Sequence, residues 1–132
     1  MVCYYCKNKT IVTNSRYQKN NNSVWRRRKC ISCQNIITTI ETIAVSNIWL
    51  VTHQSKLMPF SRDKLYLSIY KCLSHRTDSI NDASYIVSNI INKLLTTHKE
   101  TKINNEIIKS TAYVILSRYD KLAAQQYWAH YK

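Results

Sequence analysis

Two cysteine pairs near the N-terminus limit what this chain can become. Cys3-Tyr4-Tyr5-Cys6 opens it and Cys30-Ile31-Ser32-Cys33 follows after residues 7–29. A C-x-x-C tetrapeptide turns tightly enough to aim both sulfurs at one point, and two such turns close a tetrahedron around zinc with Zn–S distances of roughly 2.3 Å. Four thiolates fill that coordination sphere, so the expected role is one structural zinc per chain rather than a catalytic one. A segment of about 45 residues is too small to fold on apolar burial alone, and a metal supplies the missing constraint. The fifth cysteine, Cys72, falls on the apolar stripe of a later segment and is expected to be a small core residue.

Charge sharpens the reading. The 132 residues carry 20 Lys and Arg against 7 Asp and Glu, a formal net charge of +13. Residues 1–45 hold eight of those cations and one acid, Glu41. Four cations run consecutively as Arg26-Arg27-Arg28-Lys29, immediately before the second cysteine pair. Such an excess suits a polyanionic partner. Arg26, Arg27, Arg28 and Lys29 alternate across an extended strand, so one face can track phosphates while the other reaches a groove edge or braces the fold. Arg16 is expected to join them from a neighbouring strand end. Trp25 and Tyr17 can stack on bases or cover a thin core; the sequence favours neither. Glycine is absent altogether, so turns that need positive φ must use Asn, Ser or Lys. No phosphate-cradling glycine loop exists, and His53, His75, His98 and His130 are scattered with no acid or nucleophile partner evident along the sequence, so no catalytic residues are assigned. No apolar run approaches 18 residues and no leader-like segment opens the chain, so a cytoplasmic protein without membrane spans is expected.

In chain order, Thr10–Thr13 predicts a strand that Asn14-Ser15-Arg16 leaves, 19–23 a loop tip, Val24–Arg28 a returning strand, and the β-branched run 34–43 a third strand. Ile48–Thr52 predicts a further strand and 53–56 a turn. Pro59 excludes a helical Met58. Ser61 is a candidate cap for a helix to about Ser74, with Leu65, Ile69, Cys72 and Leu73 on one face. A second helix is expected from Asn81-Asp82 to about Thr97, a third from Asn104, a break near Tyr119-Asp120, and a last helix over 121–131.

Read together, C-x-x-C, Asn14-Ser15-Arg16, the basic strand Val24 to Cys30, Thr38-Thr39-Ile40-Glu41, Pro59-Phe60 with Lys64-Leu65, and Asp120-Lys121-Leu122-Ala123 with Tyr131 resemble the NrdR-type repressors of ribonucleotide reductase genes. That family joins a zinc ribbon to an ATP-cone. The resemblance implies an α+β chain: a small three-stranded zinc ribbon over residues 1–45, binding DNA, then a mainly helical ATP-cone-like domain over 46–132 with a short β-hairpin and about four helices. It implies ATP or dATP as effector, regulation through homo-oligomerisation, and double-stranded DNA as partner. The matching positions for nucleotide contact are Lys64, His75, Arg76 and Tyr131. The chain departs from the family in the cone: Thr52 stands where the family has lysine, and Leu57-Met58 where it has Arg-Glu. Losing a lysine from a triphosphate costs about 1.5–3 kcal/mol of charge-assisted contact. The alternatives are a diverged zinc-ribbon protein that binds nucleic acid without sensing nucleotide, or a protein-interaction module.

Overall fold

Strand-forming residues from Thr10 to Glu41 build a meander. A computed structural model describes residues 1–131, with the backbone alone at His53. The chain divides into two units, residues 1–43 and 44 onward. Unit 1 is an antiparallel sheet of β1 (Thr10–Gln18), β2 (Ser23–Cys30) and β3 (Ile36–Glu41), in that order. The expected exit of the first strand at Asn14 does not occur. Its register slips between Val12 and Asn14, a bulge that admits Thr13 as an extra residue, and pairing resumes through Gln18 against Ser23. The β1–β2 connection is a 3-10 turn, Lys19–Asn21, closed by Asn22 at φ 47° and ψ 52°. Asparagine thus takes the left-handed position that glycine usually fills.

The same substitution recurs. Lys7 and Gln34, each directly after the second cysteine of its pair, have φ of 60° and 61°. Gln54 and Ser55 have φ of 47° and 63° and form a two-residue turn between β4 (Leu50–His53) and β5 (Lys56–Pro59). Two positive φ values in sequence match the twist of a hairpin, which explains why a turn without glycine holds this register.

Unit 2 places β4 at the centre of a second sheet, ordered β5-β4-β6. β6 (Lys102–Asn104) runs parallel to β4, with Val51 opposite Ile103. It has no counterpart in the sequence reading, because a three-residue strand with one apolar side chain shows no period. Four helices follow the expected breaks: α1 (Arg62–Cys72), α2 (Ser79–Thr97), α3 (Asn105–Tyr119) and α4 (Lys121–His130). Side-chain caps start three of them. Ser61 accepts from the Lys64 N–H, Asn104 from Glu106 and Asp120 from Ala123. α2 begins two residues earlier than expected, where Asp78 accepts from Asn81 Nδ2 at 2.8 Å.

The core lies wholly in unit 2. α2 buries Ala83, Ile86, Val87, Ile90, Ile91 and Leu94, a broad stripe at helical spacing. Against it pack Leu65, Ile69, Cys72 and Leu73 of the α1 region, Ile103 of β6, and Ala112 and Leu116 of α3. Trp49 and Phe60 meet edge to face, with ring centroids 5.4 Å apart.

Candidate metal centre and nucleic-acid interface

The two knuckles bring the Cys3, Cys6, Cys30 and Cys33 sulfurs within 4.8 Å of one another. Cys3 and Cys33 Sγ lie 3.6 Å apart, and Cys6 and Cys30 Sγ 3.4 Å. Sulfurs around zinc stand about 3.8 Å apart, the edge of a tetrahedron of 2.3 Å bonds. Two of the sulfur pairs are thus slightly closer than in a filled site, and all four sulfurs lie within reach of one ion. Cross-strand geometry explains the convergence. Thr10 pairs with Cys30 at the sheet end, the Cys3 N–H donates to Asn8 O, and the Lys7 N–H donates to Cys3 O. Donors already surround the sulfurs: Asn8 Nδ2 reaches Cys6, the Ser32 N–H reaches Cys30 and Asn35 Nδ2 reaches Cys33. The Asn8 backbone N–H draws the Cys6 thiol down to about 6, and the Asn35 N–H lowers Cys33. Burial pushes Cys30 up to about 11. A dication held by Cys3, Cys6, Cys30 and Cys33 would offset that burial by making all four sulfurs thiolates, and would cross-link a unit that has no apolar core of its own.

Register sorts the cations. Opposed residues on neighbouring strands share a face. Arg16 opposes Trp25, Asn14 opposes Arg27, and Ile11 opposes Lys29, with Ile40, Thr38 and Ile36 beside them on β3. Arg16, Trp25, Arg27 and Lys29 thus lie on one face. Arg26 and Arg28 lie on the other, where Arg26 pairs with Glu41 and Arg28 Nε donates to Thr39 Oγ1 at 3.3 Å. Tyr17 opposes Val24 on that second face and donates to Asn22 Oδ1. The bulge decides this sorting. Ile11 and Arg16 are five residues apart and would point oppositely in a regular strand; the extra Thr13 puts them together. Among the described residues Arg16, Arg27 and Lys29 enter no ion pair.

The nucleotide candidates separate into two places in unit 2. Lys64 and Tyr131 line one cavity of about 270 Å³. Its walls are Val51, Met58, Phe60, Leu65, Ile108 and Tyr127, and Lys109 is its second cation. The starts of α1, at Ser61, and of α3, at Asn105, border it, so two helix N-termini add positive potential there. Burial raises Tyr127 to about 12 and Tyr131 in the same direction, so both stay neutral phenols at pH 7. Sequence reasoning missed Lys109; its place in the first turn and a half of α3 was the available signal.

His75 and Arg76 line no part of that cavity. His75 Nε2 lies 2.9 Å from Asp120, and Arg76 bridges Asp82 at 2.6 Å and Asp120 at 3.3 Å. Tyr119 donates to Asp82 at 2.6 Å, and the Arg76 guanidinium lies 5.0 Å from its ring centroid. The Ala123 backbone N–H, with His75 and Arg76, holds Asp120 down at about 2. These groups tie the α1–α2 link to the starts of α2 and α4.

Residues 1–41 match the family model of the transcriptional repressor NrdR-like N-terminal domain. The ribbon is NrdR-like. Resemblance to NrdR continues beyond it along the whole chain. The transcriptional repressor NrdR of Streptococcus sanguinis is 29% identical over 133 aligned positions, spanning 100% of this chain and 84% of the relative. The NrdR repressors of Ligilactobacillus salivarius and Bradyrhizobium diazoefficiens are also 29% identical, covering 84% and 82% of their own lengths. These NrdR relatives are named as repressors and not as enzymes. Among the described residues no helix is long and apolar enough to cross a membrane.

Proposed function

We propose that this chain is a zinc-dependent transcriptional repressor that binds double-stranded DNA through unit 1. The observation that carries the reading is the single sheet face on which Arg16, Trp25, Arg27 and Lys29 meet, next to the four-thiol cluster. Zinc on Cys3, Cys6, Cys30 and Cys33 rigidifies the sheet end; the cations neutralise phosphates and Trp25 reaches sugar or base. Arg26 and Arg28 brace the opposite face. The named function of the relatives supports repression, and ribonucleotide reductase genes are the targets that the family resemblance suggests. Fluorescence anisotropy with a labelled duplex from a reductase promoter tests this. Zinc-loaded protein binds it, and Cys30→Ser protein does not. Equal binding by both overturns the metal requirement.

ATP or dATP is the proposed effector, held in the unit 2 cavity with phosphates toward Lys64 and Lys109 and the base beside Tyr131, and acting through oligomerisation. His75 and Arg76 serve the fold in this reading. The apolar walls, with Thr52, Leu57 and Met58 in the hairpin, favour a second reading in which unit 2 is a scaffold blind to nucleotide. Calorimetric titration with each nucleotide separates the two: micromolar binding supports the effector, and no heat from either leaves the scaffold.

A further inference from the structure

The first knuckle of unit 1 carries a surface feature that neither the metal nor the basic face explains. Tyr4 and Tyr5 occupy the two positions between Cys3 and Cys6 and are 75% and 67% exposed. The knuckle holds its sulfurs from within, through the Cys3 N–H and Cys3 carbonyl, so metal binding asks nothing of these two side chains. Aromatic rings are the side chains with most to gain from burial, and two adjacent rings left in water mark a contact surface. The two rings stand edge to face, with centroids 5.5 Å apart and planes at 86°. Perpendicular rings make a corner that offers one face and one edge. Lys7 Nζ lies 5.5 Å from the Tyr4 ring centroid, and the left-handed backbone at Lys7 fixes the position from which it reaches.

We propose that the Tyr4–Tyr5 knuckle is a stacking platform for an unstacked base of single-stranded DNA, with Lys7 taking the adjoining phosphate. The inference rests on the nucleic-acid reading of unit 1 and extends it to a second class of substrate. Charge selects the occupant. Eight cations against one acid in the unit favour a polyanion over an apolar protein surface, and a nucleotide is a π-face joined to a phosphate, which matches a ring beside a cation. Stacking on aromatic side chains is indifferent to base identity, since every base presents a face. In a closed duplex those faces are covered by their neighbours, so a single strand is the form that supplies one. On binding, Lys7 exchanges its place over the Tyr4 ring for the phosphate.

The test uses the full zinc-loaded chain, with anisotropy of a fluorescein-labelled ten-nucleotide oligo-dT and of a labelled duplex of equal length. Wild-type protein is expected to bind both. The double variant Tyr4→Ala, Tyr5→Ala is expected to bind oligo-dT roughly five- to a hundredfold more weakly, the range of one lost stacking contact. Its log–log salt slope should be unchanged, because no phosphate contact is lost. Tyr4→Phe, Tyr5→Phe should bind like wild type. Unaltered oligo-dT affinity in the alanine variant overturns the proposal. Binding of the duplex but not of oligo-dT overturns the platform and leaves the DNA-binding reading standing; binding of neither overturns both. Should the alanine variant fail to retain zinc, ultraviolet crosslinking of wild-type protein to an oligonucleotide bearing 5-iododeoxyuridine decides. Adducts on Tyr4 or Tyr5 support the platform, and adducts confined to other residues overturn it.

Discussion

Asp120 caps α4 through the Ala123 N–H at 2.9 Å and closes the ion-pair network through His75 and Arg76. An N-cap aspartate replaced by alanine costs about 0.5–2 kcal/mol, and here His75 and Arg76 lose a partner as well. Asp120→Ala should therefore destabilise unit 2 by roughly 1–2 kcal/mol at pH 6, read as the urea dependence of the helical circular dichroism. The pH dependence follows from the sign of the shift. The carboxylate is held at about 2 in the fold, below its unfolded value of 3.8, so its contribution is fully present above pH 4 and disappears as pH falls towards 2. Asp82, lowered by the Tyr119 hydroxyl and Arg76, acts in the same direction. Wild type should thus lose more stability between pH 5 and pH 2 than Asp120→Ala does, and parallel losses would remove Asp120 from the acid transition. The break before α4 was legible in Tyr119-Asp120. The network was not, because Asp82 and Asp120 are 38 positions apart and only the fold makes them neighbours.

A strand with four consecutive cations divides them by rule, and the division makes the strand the unit to test. Under the DNA-binding reading, Arg16→Ala with Arg27→Ala should lower the log–log salt slope of duplex binding by about one unit per lost phosphate contact. Arg26→Ala, on the opposite face and engaged with Glu41, should leave the slope within half a unit of wild type. Equal effects from both faces would mean that the duplex does not choose between them. Here legibility ends at the bulge. Alternation along 26–29 could be read directly, but which face Arg16 joins depends on Thr13, a slip that leaves no mark in a β-branched run. Ser61, Pro59 and the apolar stripe of α2 carried their structural meaning on their own. β6 did not, since its pairing with β4 is set by the α2–β6 connection rather than by its three residues.

At the scale of the molecule, the two units hold together by different means. The buried apolar cluster runs from Val45 to Tyr127 and includes no residue of unit 1, whose fully buried side chains number Cys3 and Cys30 among them. Chelation of zinc should consequently unfold the sheet of unit 1 and leave the helices intact, seen as retained ellipticity at 222 nm with loss of duplex binding. Collapse of the helical signal on chelation would show that the units fold as one. The positive-φ residues Lys7 and Gln34 then take on a meaning of their own. Each follows the last cysteine of its knuckle, and each pays the steric cost of left-handed backbone with a side chain attached, about 1–2 kcal/mol less the backbone freedom that glycine would lose. A metal that closes strained knuckles binds with whatever energy the strain leaves over. The chain is therefore expected to hold zinc below its attainable affinity, and Lys7→Gly or Gln34→Gly should tighten the metal by roughly threefold to tenfold, measured in competition with a chromophoric chelator. The expected consequence of a chain without glycine is a ribbon that gives up its ion, and its sheet with it, at a higher free-zinc level than either glycine variant does.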